Sequence, residues 1–293
     1  MRPADFLILV VVAAIWGAAY PLLRVSSPQF GPVALVVVRL AIASIVLLPF
    51  VKWTPTSLRH WRKLLVLGLI NTAVPFALFA YATLTITGGL ASVINATTPM
   101  FGALVAYFWL HERLDALRVA GIAIGFCGVL YIVGGEIGTH AEDSLLGVIA
   151  AVVGAAMYGV AANYTKRQLG ALNARLVAAG NVVAALLLMA PFAWVSWPAV
   201  PPSATAWWAV IALGLFCTAL AYLLFFRLLS RVSASQAITV TFLIPVFGIL
   251  WGALFLHEPV TMGLLISAAV VLVGVALATG LVGRRGKDPA SIS

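Results

Sequence analysis

Long apolar stretches separated by short polar stops run the length of the chain. Ten of them reach membrane length, at about 5–24, 31–51, 64–83, 90–110, 118–135, 145–165, 175–195, 206–226, 236–256 and 262–283. Roughly 20 apolar residues cross a bilayer as a helix, so the pattern predicts an all-α membrane protein with ten transmembrane helices. The first stretch has the length of a signal peptide. However, Asp5 interrupts its basic start, Pro21 and Arg24 spoil the cleavage zone, and it has a counterpart at 145–165, so it is read as a retained helix.

The pattern also repeats. Asn95 to Glu112, NATTPMFGALVAYFWLHE, returns without a gap as Thr241 to Glu258, TFLIPVFGILWGALFLHE, 146 residues later. Pro99 meets Pro245, Phe101 meets Phe247, Gly102 meets Gly248, and Leu110-His111-Glu112 meets Leu256-His257-Glu258. The register extends to Thr72 and Thr218, and to Gly128 and Gly274. Upstream the spacing is 142, pairing Gly17 with Gly159, Ala43 with Ala185 and Pro49-Phe50 with Pro191-Phe192. The chain is a tandem duplication, about 1–140 and 141–283, followed by a tail at 284–293. No Pro/Ser linker divides the halves, so 1–283 is read as a single membrane domain.

Composition fixes the class: 63% of residues are hydrophobic and 9% charged, far from the quarter charged in soluble domains. Cys127 and Cys217 both fall inside apolar stretches, which leaves no disulfide framework. The net charge of +9 is topological. With the N-terminus in the cytoplasm, fifteen of the 17 basic residues fall on the cytoplasmic side; Arg24 falls outside and Arg39 lies within the second stretch. That is the positive-inside pattern, and it needs no nucleic-acid partner. Trp53 and Trp61 on the inner side, and Trp194, Trp197, Trp207 and Trp208 on the outer, read as interfacial belts. Five stretches per repeat is an odd number, so the second copy enters the membrane upside down. Two inverted five-helix repeats place a substrate site near the midplane between the halves.

Pro21, Pro75, Pro99 and Pro245 fall inside the stretches. Each frees a backbone carbonyl four residues earlier, and broken backbone at membrane depth is tolerated where it lines a cavity. The expected cavity lies between helices 1, 3, 4, 6, 8 and 9. Its candidate substrate-binding residues are Trp16, Tyr20, Asn71, Phe76, Phe79, Tyr81, Asn95, Thr98, Tyr158, Asn163, Tyr222, Thr241 and Trp251, since small-molecule pockets are mostly apolar and aromatic with a few placed polar groups. No carboxylate or histidine lies in the interior of a stretch; Asp5 stands at the very start of the first, and the rest at stretch ends, in loops or in the tail. This argues against acid–base catalysis, a metal centre, a cofactor site and a buried proton relay, and predicts facilitated flux. Glu112 and Glu258, closing helices 4 and 9, are the two candidates for a gate-linked proton site. Gly121-x-x-x-Gly125 with Gly128, and Gly248-x-x-x-Gly252, allow close helix approach. Packing within a monomer is favoured, with a homodimer through helices 5 and 10 as the other outcome.

The duplicated pattern, Trp16-Gly17 in helix 1, Arg39 in helix 2, and Pro99 followed by Leu110-His111-Glu112-Arg113 carry a resemblance. The chain resembles the EamA-type branch of the drug/metabolite transporter superfamily, and within it the bacterial aromatic amino-acid exporter type. The resemblance covers about 1–283. It implies a ten-helix bacterial inner-membrane transporter with both termini cytoplasmic, exporting amino acids or other small metabolites. It also makes helix 2 peripheral, so Arg39 is expected as a structural brace ahead of a substrate contact. The second repeat departs from the first: Tyr158-Gly159 stands against Trp16-Gly17, and Asn181 against Arg39. The expected function is alternating-access export of small neutral or zwitterionic metabolites, amino acids including aromatic ones leading. A sugar-phosphate or nucleotide-sugar exchanger is the alternative within transporters, and an intramembrane lipid enzyme the alternative outside them.

Overall fold

The computed structural model describes residues 2–51, 59–136, 141–232, 236–237 and 239–281, with backbone alone at 135–136 and 141–143. Most of the expected inner segment at 52–63, His140 in the expected outer loop and the tail at 284–293 lie outside the described residues. No strand occurs among those described. The helices are α1 (Pro3–Phe30), α2 (Pro32–Phe50), α3 (Trp61–Thr85), α4 (Gly88–Leu110), α5 (Ala116–Glu136), α6 (Ala141–Gln168), α7 (Ala174–Val195), α8 (Ala204–Leu229), α9 (Val240–Leu256) and α10 (Met262–Ala278). Among the described residues, eight are long and apolar enough to cross a membrane; α9 and α10 are shorter apolar helices. Helix is the form that satisfies every backbone group internally without water.

Helix starts follow from local chemistry. The side chains of Thr87, Asn173, Ser203 and Thr261 accept from backbone N–H groups of the first turns of α4, α7, α8 and α10. The duplicated Leu-His-Glu stops work alike. His111 and His257 adopt left-handed φ values of 55° and 53°, a region open to histidine more than to most residues. The next N–H then turns back: Glu112 N donates to Ala106 O and Glu258 N to Gly252 O, each at 3.1 Å.

Three interruptions shape the bundle. α3 carries a π-helical segment at Leu69–Ala73, α8 one at Leu213–Leu220, and α4 is broken between Gly88–Asn95 and Thr98–Leu110. The two π segments occupy corresponding places in the repeats. The prolines were expected to cause the breaks, and only part of that is so. Pro75 and Pro99 sit in first turns just after an interruption, where a missing N–H costs nothing. Pro21 and Pro245 lie within continuous helices, and the π segment of α8 contains no proline.

Packing pairs each repeat with the other. A Cβ on Gly17 would lie 2.6 Å from Phe247 Cβ and 2.9 Å from Gly248 N; one on Gly159 would lie 2.8 Å from Phe101 Cβ and 2.7 Å from Gly102 N. So α1 rests on α9 as α6 rests on α4, through corresponding residues. The glycine face of α5 is likewise taken up by α10 within the chain: a Cβ on Gly121 would lie 2.5 Å from Ala278 N. α2 is not peripheral. It packs against α7 and α8, and Leu35, Val36 and Leu40 on it are fully buried. Of the expected belt tryptophans, Trp61, Trp194, Trp197 and Trp208 are widely exposed, while Trp53 lies outside the described residues.

Candidate functional site

A cavity of about 640 Å³ opens between the two repeats, within the size range of small-molecule sites. Ten of the thirteen candidate residues line it: Trp16 and Tyr20 from α1, Asn71, Phe76 and Phe79 from α3, Asn95 and Thr98 from α4, Tyr158 from α6, Tyr222 from α8 and Thr241 from α9. Three do not. Tyr81 is exposed, Asn163 is buried and donates to Gly102 O and Gly159 O at 2.9 Å, and Trp251 Nε1 donates to Ala14 O at 3.0 Å. Two helices join that the sequence reading left out: α2 through Arg39, and α7 through Val177 and Asn181.

The aromatic side chains form two groups along the lining. Tyr20 meets Phe79 edge to face and Phe79 stacks on Tyr158, both with ring centroids 5.9 Å apart, while Trp16 packs against Phe225 at 5.1 Å. Among the described residues, Arg39 is the one charged side chain on the lining. Its Nε donates to Thr218 Oγ1 at 2.9 Å, and its guanidinium carbon lies 3.8 Å from the centroid of the Phe76 ring. Thr218 in turn donates to Leu213 O across the π segment, at 2.9 Å. A charge at membrane depth costs about 2.5–3.5 kcal/mol. The ring face returns about 0.5–2 kcal/mol and the charged hydrogen bond about 1.5–3 kcal/mol, so the site is supportable without a counter-ion. The corresponding pair in the other repeat is neutral: Asn181 Nδ2 donates to Thr72 Oγ1 at 2.7 Å.

The two ends of the bundle differ. At one end Arg24 Nε lies 3.3 Å from a Glu258 oxygen, with the Glu258 side chain 8% exposed. The Glu258 carboxylate also accepts from Gly88 N at 2.9 Å and Gly89 N at 3.1 Å, capping α4. Arg24 Nη1 donates to Ile86 O at 2.7 Å and Thr83 O at 3.2 Å. These contacts tie the two repeats together at this end, and Arg24 has an acidic partner there. At the other end stands the corresponding pair, Lys166 Nζ to Glu112 at 2.6 Å, with Glu112 42% exposed. There the cavity lining continues through Leu169, Gly170, Leu172 and Ala174 into the turn between α6 and α7, where Gly170 and Ala174 are exposed. Among the described residues, the lining therefore reaches the surface at this end. Among the described residues, no three His, Cys, Asp or Glu side chains gather as a metal site requires.

Comparison with known proteins agrees with this architecture. The sequence model of the EamA-like transporter family matches residues 3–134 and again 145–280, one match per repeat. The chain is 24% identical over 283 residues to "Uncharacterized transporter YoaV" of Bacillus subtilis, covering 94% of this chain and 97% of that one. It is 25% identical over 276 residues to "Probable terminal-alkyne amino-acid exporter" of Streptantibioticus cattleyicolor, covering 92% and 91%. A solved crystal structure superposes with a TM-score of 0.68 at 22% identity, over 96% of this chain and 98% of that one, a likeness of fold.

Proposed function

Because the chain belongs to the EamA-like transporter family and is therefore a multi-pass membrane transporter rather than an enzyme, we propose that it exports small neutral or zwitterionic metabolites by alternating access. Amino acids, aromatic ones included, are the leading class. The proposal places ten helices across a bacterial inner membrane as two inverted five-helix repeats, with both termini in the cytoplasm. The observation that carries it is a cavity between the repeats whose lining reaches the surface at the basic end, while Arg24 and Glu258 bridge the repeats at the other. Such a form corresponds to the state that loads substrate from the cytoplasm. Reciprocal contacts of corresponding residues support the inverted arrangement: Gly17 with Gly248 and Gly159 with Gly102, Arg24 with Glu258 and Lys166 with Glu112. Two states that exchange the roles of the repeats are what such symmetry provides. The aromatic lining suits an aromatic side chain, and one relative carries the name of an amino-acid exporter.

The test is flux in proteoliposomes of the purified protein. Labelled L-phenylalanine should equilibrate down its gradient, with other aromatic amino acids competing. With no carboxylate on the described lining to carry a proton, an imposed pH gradient at equal substrate on both sides should drive no accumulation. Flux of a sugar phosphate in place of amino acids would replace the reading with the exchanger alternative. Accumulation lost in Glu112→Gln or Glu258→Gln would establish proton coupling.

A further inference from the structure

Arg39 is charged at any accessible pH, and the groups near enough to act on it electrostatically are Cys217, Tyr158, Tyr222 and Tyr20. None of these is a carboxylate. Among the described residues no ion pair involves Arg39, and Nε to Thr218 is its hydrogen bond. A guanidinium has five N–H donors, so its two terminal nitrogens retain theirs. Arg39 lies on the cavity lining, and neither terminal nitrogen is a sealed atom without a partner, Ser44 Oγ being the one such side-chain atom among the described residues. With one face of the guanidinium on Phe76 and Nε held, the terminal pair forms a fixed fork of the kind that matches a carboxylate with two parallel hydrogen bonds.

We propose that Arg39 is the anion-docking residue of this cavity, and that the substrate is an aryl monocarboxylate whose amino group, where it has one, is not required for recognition. The proposal rests on the cavity being the substrate path, as read above. The Tyr20, Phe79 and Tyr158 rings, the first edge-on to the second and the last two stacked, receive the aryl body. A single charge sets the valence: the corresponding position holds Asn181, whose amide is already engaged with Thr72, so a second anionic group finds no second guanidinium. An ammonium finds no carboxylate on the described lining and is repelled by Arg39. The cavity thus selects for the acid and tolerates the amine.

Three probes of similar shape separate these charges: 3-phenylpropionate, L-phenylalanine and phenethylamine. Their binding to the full-length purified protein is measured by titration calorimetry. The expected order places 3-phenylpropionate first or level with L-phenylalanine, and phenethylamine at least tenfold weaker. Arg39→Gln should weaken 3-phenylpropionate at least tenfold and leave phenethylamine unchanged or tighter. Arg39→Lys, which keeps the charge and loses the fork, should keep the order with weaker carboxylate binding. If neither variant folds, the order on the unaltered protein decides. Phenethylamine binding as tightly as 3-phenylpropionate, or a Gln variant with the order intact, overturns the proposal. Binding of 3-phenylpropionate through Arg39 without any binding of amino acids would sustain the anion site and overturn the amino-acid reading. Binding of L-phenylalanine and phenethylamine without 3-phenylpropionate would do the reverse. No binding of any probe overturns both.

Discussion

Arg24 and Glu258 meet at 3.3 Å across the two repeats, and the same carboxylate holds the N-terminus of α4 through Gly88 and Gly89. In the proposed transport cycle, opening this end of the cavity parts all three contacts. Glu258→Gln removes the charge and turns one acceptor into a donor facing a backbone N–H. The loss is about 1–2 kcal/mol, or roughly 5- to 30-fold in the population open at that end. Ser27, 1% exposed and 3.4 Å from Thr83 beside these contacts, is the reporter. In a background with Cys127 and Cys217 replaced by alanine, maleimide labelling of Ser27→Cys should rise by that factor in Glu258→Gln. Glu112→Gln, which breaks an exposed pair worth about 0–1 kcal/mol, should leave it unchanged. Equal labelling in all three proteins would show that Glu258 does not seal this end.

The glycine contacts predict matched losses of stability. Gly17→Ala and Gly159→Ala each press a methyl group against backbone and a Cβ in the facing helix, where neither yields as a flexible side chain would. Each should cost about 1–3 kcal/mol, the usual range for overpacking, and lower the melting temperature in detergent. Gly134→Ala, with nothing within 4 Å of its new methyl, is the control and should be neutral. Equal melting temperatures for all three would mean that the α1–α9 and α6–α4 contacts are looser than described.

On the lining, Trp16→Ala and Asn95→Ala should lower substrate affinity by roughly 5- to 30-fold, about 1–2 kcal/mol, with melting temperatures near that of the parent. Tyr81→Ala should transport normally, because Tyr81 is off the cavity. Loss of transport in Tyr81→Ala with normal transport in Trp16→Ala would displace the site from this cavity.

Much of this was legible in the sequence. Membrane-length apolar stretches and a gapless repeat are one-dimensional signals, so the helices and the duplication could be read from them. Which helices touch could not: the alignment matches Gly17 with Gly159 and Gly102 with Gly248, but only folding shows that partners are exchanged between the pairs. Most of the lining was found because polar and aromatic residues are few enough in such stretches to stand out. The misses have angular causes. Phe79 and Tyr81 are two residues apart, about 200° around a helix, so both cannot face one cavity. Asn163 is five residues from Tyr158, about 140° away, and points instead at the backbone of α4. The π segments left no mark beyond the paired Thr72 and Thr218, and the place of α2 was misjudged because its apolar face reads the same against lipid or protein.

Arg39 and Asn181 hold corresponding positions, and each reaches a threonine of the opposite repeat. Two separate half-length chains, assembled as identical twins, could not differ in this way, because one codon would specify both positions. Arginine would bring two like charges to one cavity, where they repel; asparagine would leave none. Joining the halves in a single gene lets one position mutate without its twin, so that a site built on a two-fold plan can grip a molecule that has no symmetry of its own.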